Sequence, residues 1–241
     1  MTAGAERHTV ASAGARLALL LHLPEAPRRA PCVVACHGLG ASKDSDKYLL
    51  LASELPGAGL ALARFDFRGC GESSGSEEES TVGTRVNDLN AVLGYLAGHR
   101  RLDGRFGLLG SSMGGYVALH VAAARSGAPP VVTWNAPADL DDLMQTAPDD
   151  TPGFGLAFFR ELRTATYAAA PAGVSRHLVI QGEADDVVPV EHGTALFARA
   201  AEPCDMLIIS GADHRLTVPG HRKEAVARSV EWFQRFFAEP A

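Results

Sequence analysis

Ser112 stands at the centre of a Gly-x-Ser-x-Gly pattern, residues 110–114, between the apolar run Phe106–Leu109 and the helical stretch Tyr116–Ala124. A sharp strand-to-helix turn needs glycines on both sides of the serine, because side chains there would collide with the neighbouring strand and helix. The turn exposes the serine hydroxyl at a helix N-terminus, where amides and the helix dipole favour a developing negative charge. The pattern in this setting predicts that Ser112 is a nucleophile.

A serine hydroxyl needs an imidazole to take its proton, and the sequence offers nine histidines. With this kind of turn the chain order is serine, acid, histidine, which excludes the histidines that precede Ser112. His120 lies inside the helix that Ser112 begins, and three later histidines are interpreted as surface residues: His177, His192 and His221. His214 directly follows the apolar run Met206–Ser210, at the carboxyl end of a predicted strand, where catalytic groups gather. We therefore predict His214 as the base.

The acid that orients the histidine should follow a strand between these two residues. Two candidates, Asp185 and Asp186, follow the run His177–Gln181. Asp185 is favoured because it comes three residues after the glycine that ends the strand, and the other aspartate would then be a cap or a surface charge. Asp213 is unsuitable, since the side chains of adjacent residues usually diverge too far to form the required hydrogen bond.

Attack on a carbonyl creates an oxyanion that needs two hydrogen-bond donors already in place. One predicted donor is the main-chain amide of Met113, which follows the nucleophile. The other is the main-chain amide of Leu39, because residues 36–40 follow the strand-like run Pro31–Ala35 and carry glycines on both sides of Leu39.

The elements that must position these groups alternate between short β-branched runs and amphipathic stretches. The predicted strands are Thr9–Ser12, Leu17–Leu23, Pro31–Cys36, Leu60–Phe65, Arg105–Leu109, Val131–Trp134, His177–Gln181 and Met206–Ser210. Apolar residues recur at helical spacing between them, as in Val82, Val86, Leu89, Leu93 and Leu96. This order predicts an α/β fold with a mostly parallel central sheet, helices on both faces and one domain over residues 1–241.

One segment interrupts the alternation. About 40 residues separate Trp134 from His177, which is too long for an ordinary connection between a strand and a helix. The segment predicts a short cap inserted at about residues 138–173. Its acidic residues are Asp139, Asp141, Asp142, Asp149 and Asp150, and its aromatic residues Phe154, Phe158 and Phe159 either line an acyl pocket or anchor the cap.

With these residues assembled, the sequence resembles the α/β-hydrolase superfamily over nearly its whole length. The segments His37–Gly40, Lys43–Asp44 and Arg64–Gly75 look like those of small bacterial esterases related to cinnamoyl and feruloyl esterases, and of serine aminopeptidase-like hydrolases. The resemblance implies cleavage of carboxylic esters through an acyl-enzyme, without a metal or organic cofactor. It also implies a triad of Ser112, Asp185 and His214. Leu39 departs from this pattern, because an aromatic residue often occupies its position.

Composition excludes several classes. A formal charge of −6 without a basic cluster excludes a nucleic acid or an anionic membrane as a partner. The longest apolar stretches fall far below the ~20 residues that cross a bilayer, and the first residues do not form a signal-peptide pattern. Four scattered cysteines predict reduced thiols rather than a zinc site. We therefore expect a cytoplasmic enzyme whose partner is a small-molecule ester.

Three related activities can use the same triad: a thioesterase, an aminopeptidase and a lipase. The short cap favours small or aromatic acyl groups over long triglycerides. A non-catalytic small-molecule-binding protein of the same fold is the alternative from another class, since a fold alone does not establish activity. The physiological substrate and the oligomeric state stay open at this point.

Overall fold

The computed structural model describes residues 4–141, 155–164 and 166–238. The strands among them join one eight-stranded sheet in the order β1-β2-β4-β3-β5-β6-β7-β8. The strands are β1 Glu6–Ser12, β2 Ala15–His22, β3 Ala30–Cys36, β4 Ala61–Phe65, β5 Leu102–Ser111, β6 Val131–Trp134, β7 His177–Gly182 and β8 Cys204–Ile209. β1 and β2 pair antiparallel, and all the pairings from β4 to β8 are parallel. The predicted mostly parallel sheet is confirmed.

Helices cover both faces of the sheet, as predicted. They are α1 Asp46–Glu54, α2 Val82–Ala97, α3 Met113–Ala123, α4 Leu156–Leu162, α5 Val190–Arg199 and α6 Pro219–Ala238, with a short 3-10 helix at Glu77–Glu79. One hydrophobic core contains buried residues of α2 and α3, and the other contains those of α1 and α6. The predicted apolar stripe of α2 therefore packs into the first of these two cores. No described helix is long and apolar enough to span a membrane.

Each predicted strand is present, but the ends differ. β1 begins at Glu6, three residues before the predicted start, and β5 begins at Leu102 instead of Arg105. The first residues of β1 are mostly exposed and carry charged or polar side chains, so hydrophobicity does not identify them. Their backbone pairs with β2 in continuous register from Glu6 to Ser12. Pairing with a neighbouring strand therefore extends β1 beyond its apolar part.

The predicted cap is described only in part. Phe154, together with Asp142, Asp149 and Asp150, lies outside the described residues. Within the described part, α4 is held at the N-terminus of α2, because a Glu161 carboxylate oxygen accepts hydrogen bonds from the Thr81 hydroxyl at 2.8 Å and the Gly83 amide at 3.1 Å. A carboxylate is favoured there by the unpaired amides of the first helical turn.

The first turn of α3 lies in backbone contact with the end of β3. A Cβ atom added to Gly114 would stand 2.1 Å from the Cys36 carbonyl oxygen, and one added to Gly110 would stand 2.3 Å from the Gly114 carbonyl oxygen. The Cys36 oxygen belongs to β3 and the Gly114 oxygen to the first turn of α3, so neither can shift without moving a buried element. The glycines of the 110–114 turn are therefore required by close approach, as the sequence pattern predicted.

We expect Gly114→Ala to destabilise the protein by more than about 3 kcal/mol or to prevent folding, because the new methyl group collides with backbone rather than with a flexible side chain. Gly94→Ala is the matched control. Gly94 is exposed within α2 and a Cβ there meets nothing within 4 Å, so alanine should stabilise the helix by about 0.5–1 kcal/mol. Urea unfolding of the two variants measures both effects, and equal stability would contradict the close-approach argument.

Candidate active site

Ser112 connects β5 to α3 in a strained backbone conformation. Its φ of 54° and ψ of −128° lie in a region that L-residues rarely adopt. The Ser112 amide donates to the Trp134 carbonyl at 2.8 Å, and its own carbonyl accepts from the Gly115 amide at 2.9 Å. These bonds fix the residue to β6 on one side and to α3 on the other. The strain is therefore maintained by the surrounding structure.

Asp185 and His214 form a close pair. The His214 Nδ1 atom lies 2.8 Å from Oδ2 and 3.0 Å from Oδ1 of Asp185. The carboxylate is buried and also accepts hydrogen bonds from the amides of Val187 at 2.9 Å and Val188 at 2.8 Å. A carboxylate can only accept at Nδ1, so Nδ1 carries the proton and Nε2 is left as the proton acceptor. Of the two candidate aspartates, the structure brings Asp185 to the histidine and leaves Asp186 exposed.

Asn135 ties three loops of this edge together, and sequence reasoning missed it. Its side-chain amide donates to the carbonyls of His214 at 2.9 Å and Asp213 at 3.2 Å, while its Oδ1 accepts from the Gly182 amide at 2.7 Å. Asn135 directly follows β6 with a φ of 51°, a conformation that asparagine tolerates better than most residues. An asparagine at the carboxyl end of a predicted strand was the available signal.

The structure brings the predicted oxyanion loop next to Ser112. A Cβ atom added to Gly38 would lie 3.1 Å from the Ser112 Cβ and 3.6 Å from its Oγ. The amides of Leu39 and Met113 donate to no acceptor in the described part of the chain. Both are therefore available to an oxygen atom beside Ser112, as an oxyanion hole requires.

His37 fixes the direction of that loop. Its Nε2 accepts from the Phe67 amide at 3.0 Å, so the neutral ring carries its proton on Nδ1, which donates to the Gly38 carbonyl at 2.7 Å. Burial, with the nearby Arg85 charge, lowers the pKa of His37 to about 4. The ring is therefore neutral near pH 7 and keeps this tautomer.

The segment Arg64–Gly75 also fixes this loop, through hydrogen bonds with Lys43. Asp66 is fully buried, and its carboxylate accepts from the Lys43 amide at 2.7 Å and from the Lys43 ammonium at 2.9 Å. Arg68 pairs with the buried Asp88 at 2.6 Å. Its guanidinium is therefore used within the fold.

Lys47 is a second residue that sequence reasoning missed. Its ammonium donates to the Ser111 hydroxyl at 2.6 Å, one residue before Ser112, and makes no ion pair with a described carboxylate. Burial, followed by the charges of Arg215 and Arg222, lowers the pKa of Lys47 to about 8, against the opposing effect of Asp185 and other acids. A partly buried cation with no acidic partner is costly in free energy. No sequence pattern predicts a lysine at this position beside the 110–114 turn.

Two histidines that we interpreted as surface residues are in fact buried. His177 is fully buried at the start of β7, where its Nε2 lies 2.9 Å from the Thr133 hydroxyl. His192 is also buried, and its Nδ1 accepts from the Ala138 amide at 3.2 Å. Each has a partner from another strand or loop, so the surface interpretation was wrong for both. Neither side chain is joined by a hydrogen bond to Ser112 or His214 in the described residues.

We expect Asp185→Asn to lower kcat by about 10⁴-fold, because the amide cannot hold the Nδ1 proton of His214 in place. Asp186→Asn is the matched control, as its side chain is exposed one residue away, and it should change kcat less than about 2-fold. Steady-state hydrolysis of an activated ester measures both variants. Equal losses would mean that the orienting role does not belong to Asp185.

The lowered pKa of Lys47 makes stability depend on pH with a definite sign. Between the folded value of about 8 and the ordinary value of 10.5, the unfolded chain binds more protons than the folded one, so stability rises with pH there. The stability of the wild type relative to Lys47→Met should therefore increase between pH 7.5 and pH 10, as measured by urea unfolding. The exposed Lys223→Met is the control and should show no such trend, and a flat difference for both would refute the prediction.

Comparison with known proteins agrees with this architecture. The family described as "Serine aminopeptidase, S33" matches residues 27–138. An uncharacterized protein of Mycobacterium tuberculosis is 30% identical over 188 residues, 76% of this chain and 63% of that protein. The human mitochondrial palmitoyl-protein thioesterase ABHD10 is 27% identical over 202 residues, 84% of this chain and 62% of that protein. The matches thus span less than two thirds of these relatives.

Solved structures share the fold. Est1E from Butyrivibrio proteoclasticus, determined with bound ferulic acid, superposes with a TM-score of 0.85 at 18% identity, over 96% of this chain and 100% of that one. This likeness confirms the predicted fold class. The chain has the α/β-hydrolase fold and, over residues 27–138, is similar to the serine aminopeptidase S33 family.

Proposed function

We propose that the protein is a serine hydrolase that cleaves carboxylic esters through an acyl-enzyme on Ser112. The observation that carries this proposal is the Asp185–His214 pair, 2.8 Å apart, at the same edge of the sheet as the strained Ser112. A buried carboxylate that orients a neutral imidazole is the arrangement that a serine nucleophile needs. A purely structural role gives no reason to maintain the strained serine.

In this mechanism Nε2 of His214 takes the Ser112 proton while the serine oxygen attacks the ester carbonyl. The carbonyl electrons move to the oxygen, which the amides of Leu39 and Met113 stabilise. The tetrahedral intermediate collapses, the bond to the alcohol breaks, and His214 gives its proton to the leaving alkoxide. A water molecule, deprotonated by the same histidine, then attacks the acyl-enzyme; the bond to the Ser112 oxygen breaks, His214 returns the proton to that oxygen, and the acid is released. The protein groups in these steps need no metal or organic cofactor.

Several observations support small or aromatic acyl groups. A cavity of about 460 Å³ lies beside the oxyanion loop, between Gly40–Ser45 and the Gly69–Gly71 turn, and Glu77 also lines it. Its lining is mostly polar, which suits a compact substrate better than a long acyl chain. Phe158 is buried in the main core and so anchors the cap, whereas Phe159 is partly exposed. The structural neighbour with bound ferulic acid supports the same substrate class.

Thioester hydrolysis is the second candidate, because the human relative is named a palmitoyl-protein thioesterase. A thiolate leaves without much help from a general acid, whereas an amide nitrogen must be protonated by His214 before it leaves. A single site can therefore accept esters and thioesters more readily than peptides. Aminopeptidase activity has the family description as its support.

We place the enzyme in the cytoplasm with a small-molecule ester as its partner. All four cysteines are free thiols, and three of them are buried. Burial raises the pKa of Cys70 to about 11, so this thiol is protonated and unreactive near pH 7. These thiols suit a reducing compartment.

The test is hydrolysis of p-nitrophenyl acetate, butyrate and octanoate, methyl ferulate, a palmitoyl thioester and an aminoacyl p-nitroanilide by wild type and variants. Ser112→Ala should lower kcat/KM for every accepted substrate by at least about 10⁴-fold and change stability by less than about 1 kcal/mol. Ser53→Ala, on the exposed surface of α1, is the matched control and should be fully active.

The ranking separates the candidates. Preference for short esters and methyl ferulate supports the proposed substrate class, and preference for the palmitoyl thioester replaces it with the thioesterase. Comparable activity in folded Ser112→Ala rejects the nucleophile. If folded wild type hydrolyses nothing and is not labelled by a fluorophosphonate probe, the protein is a binding protein of this fold.

A further inference from the structure

Three side chains with metal-ligating atoms meet at the outer edge of the sheet. Glu6 and His8 are two residues apart on β1, so both side chains lie on the same face of the strand. His99 follows the C-terminus of α2. Their donor atoms all lie within 4.8 Å of one another. Glu6 and His99 are 93 residues apart, so no local spacing in the sequence reveals this group.

The distances within the group suit a shared ion. The Glu6 Oε2 atom is 3.1 Å from Nε2 of His99 and 3.3 Å from Nε2 of His8. Donor atoms that bind zinc at about 2.0–2.1 Å in a tetrahedron are about 3.3–3.4 Å apart. The imidazole planes of the two histidines are nearly perpendicular, at 83°, with their centroids 5.8 Å apart. The rings therefore approach the carboxylate from different directions, as separate ligands do.

One nitrogen in the group has no hydrogen bond. The His8 Nε2 atom is shielded from solvent and makes no hydrogen bond with a described residue, although the Glu6 oxygen lies only 3.3 Å away. The distance permits a bond, but the direction does not. This nitrogen lies within 4.8 Å of the donor atoms of Glu6 and His99, so an ion bound among the three would supply the partner that it lacks. Buried polar atoms without any partner are rare in proteins.

One of the other two ring nitrogens has a contact of the kind that orients metal ligands. Nδ1 of His8 lies 2.9 Å from the Tyr95 hydroxyl, which can accept the Nδ1 proton and leave Nε2 free to bind a metal. Nδ1 of His99 accepts from the Arg101 amide at 3.4 Å, at the outer limit of a hydrogen bond, so the neutral ring carries its proton on Nε2, beside Glu6. Binding of a metal through Nε2 moves this proton to Nδ1 and breaks that weak bond.

We propose that Glu6, His8 and His99 form a binding site for a divalent transition metal, with Zn²⁺ as the ion best suited to it. Two neutral imidazoles and one carboxylate are ligands that zinc binds in tetrahedral geometry. Water completes the coordination, because the Glu6 side chain is 43% exposed and the site opens to solvent. The ion joins the exposed start of β1 to the end of α2 and so stabilises an edge that apolar packing leaves weak.

The site is independent of the proposed hydrolase activity, since none of its ligands takes part in that mechanism. The first experiment is therefore calorimetry with ZnCl₂ on protein that carries no affinity tag and has been treated with EDTA. We expect one Zn²⁺ per chain, with a dissociation constant in the micromolar range, and a Tm that rises by several degrees with added Zn²⁺. Mg²⁺ should not reproduce either effect, because it prefers oxygen ligands.

The variants locate the ion. His99→Ala and Glu6→Gln should each weaken Zn²⁺ binding at least about 10-fold and remove the rise in Tm. His221→Ala, a partly exposed histidine on α6, and Ser112→Ala should bind as wild type does. Circular dichroism without metal checks that each variant is folded. Absence of stoichiometric binding by wild type, or unchanged binding by both folded ligand variants, would overturn the proposal.

Discussion

The close approach of α3 to the end of β3 is the constraint on which the candidate site depends. With only 2.1 Å between a hypothetical Gly114 Cβ and the Cys36 carbonyl oxygen, the helix can begin there only without a side chain. The chain must then turn from β5 into α3 within one residue, and Ser112 takes the positive φ that this turn requires. The same approach brings Gly38 and the following amide beside Ser112. One steric fact thus sets both the backbone conformation of Ser112 and the place of the loop that carries Gly38 and Leu39.

Around this turn, buried polar groups are each held in one direction by hydrogen bonds. The Asp185 carboxylate accepts two loop amides as well as His214, and His37 is kept neutral between the Phe67 amide and the Gly38 carbonyl. Groups fixed in this way need not reorient when charge develops, which is the main source of electrostatic stabilisation in such sites. Lys47 is the exception, because its charge faces a hydroxyl and no described carboxylate pairs with it.

Local pattern was enough to predict the elements and the central residues. Ser112, Asp185 and His214 each follow an apolar run, and parallel strands bring their carboxyl ends to one edge. The remaining features depend on contacts between distant segments. Asn135 forms hydrogen bonds with Gly182 and His214, which lie 47 and 79 positions further along the chain. The start of β1 is held by pairing with β2 and not by hydrophobicity. The buried His177 and His192 escaped prediction for the same reason, since their partners come from other elements.

The Asn135 bonds have a consequence for how the candidate triad is held. Asp185 follows β7 and His214 follows β8, so their loops would move independently if each were fixed only by its own strand. Asn135, at the end of β6, binds the backbone of both loops through one rigid amide group. The Ser112 amide also donates to the end of β6, at Trp134. Ser112 and the loops of the Asp185–His214 pair are therefore all hydrogen-bonded to the end of β6, and their relative positions follow from the register of the sheet.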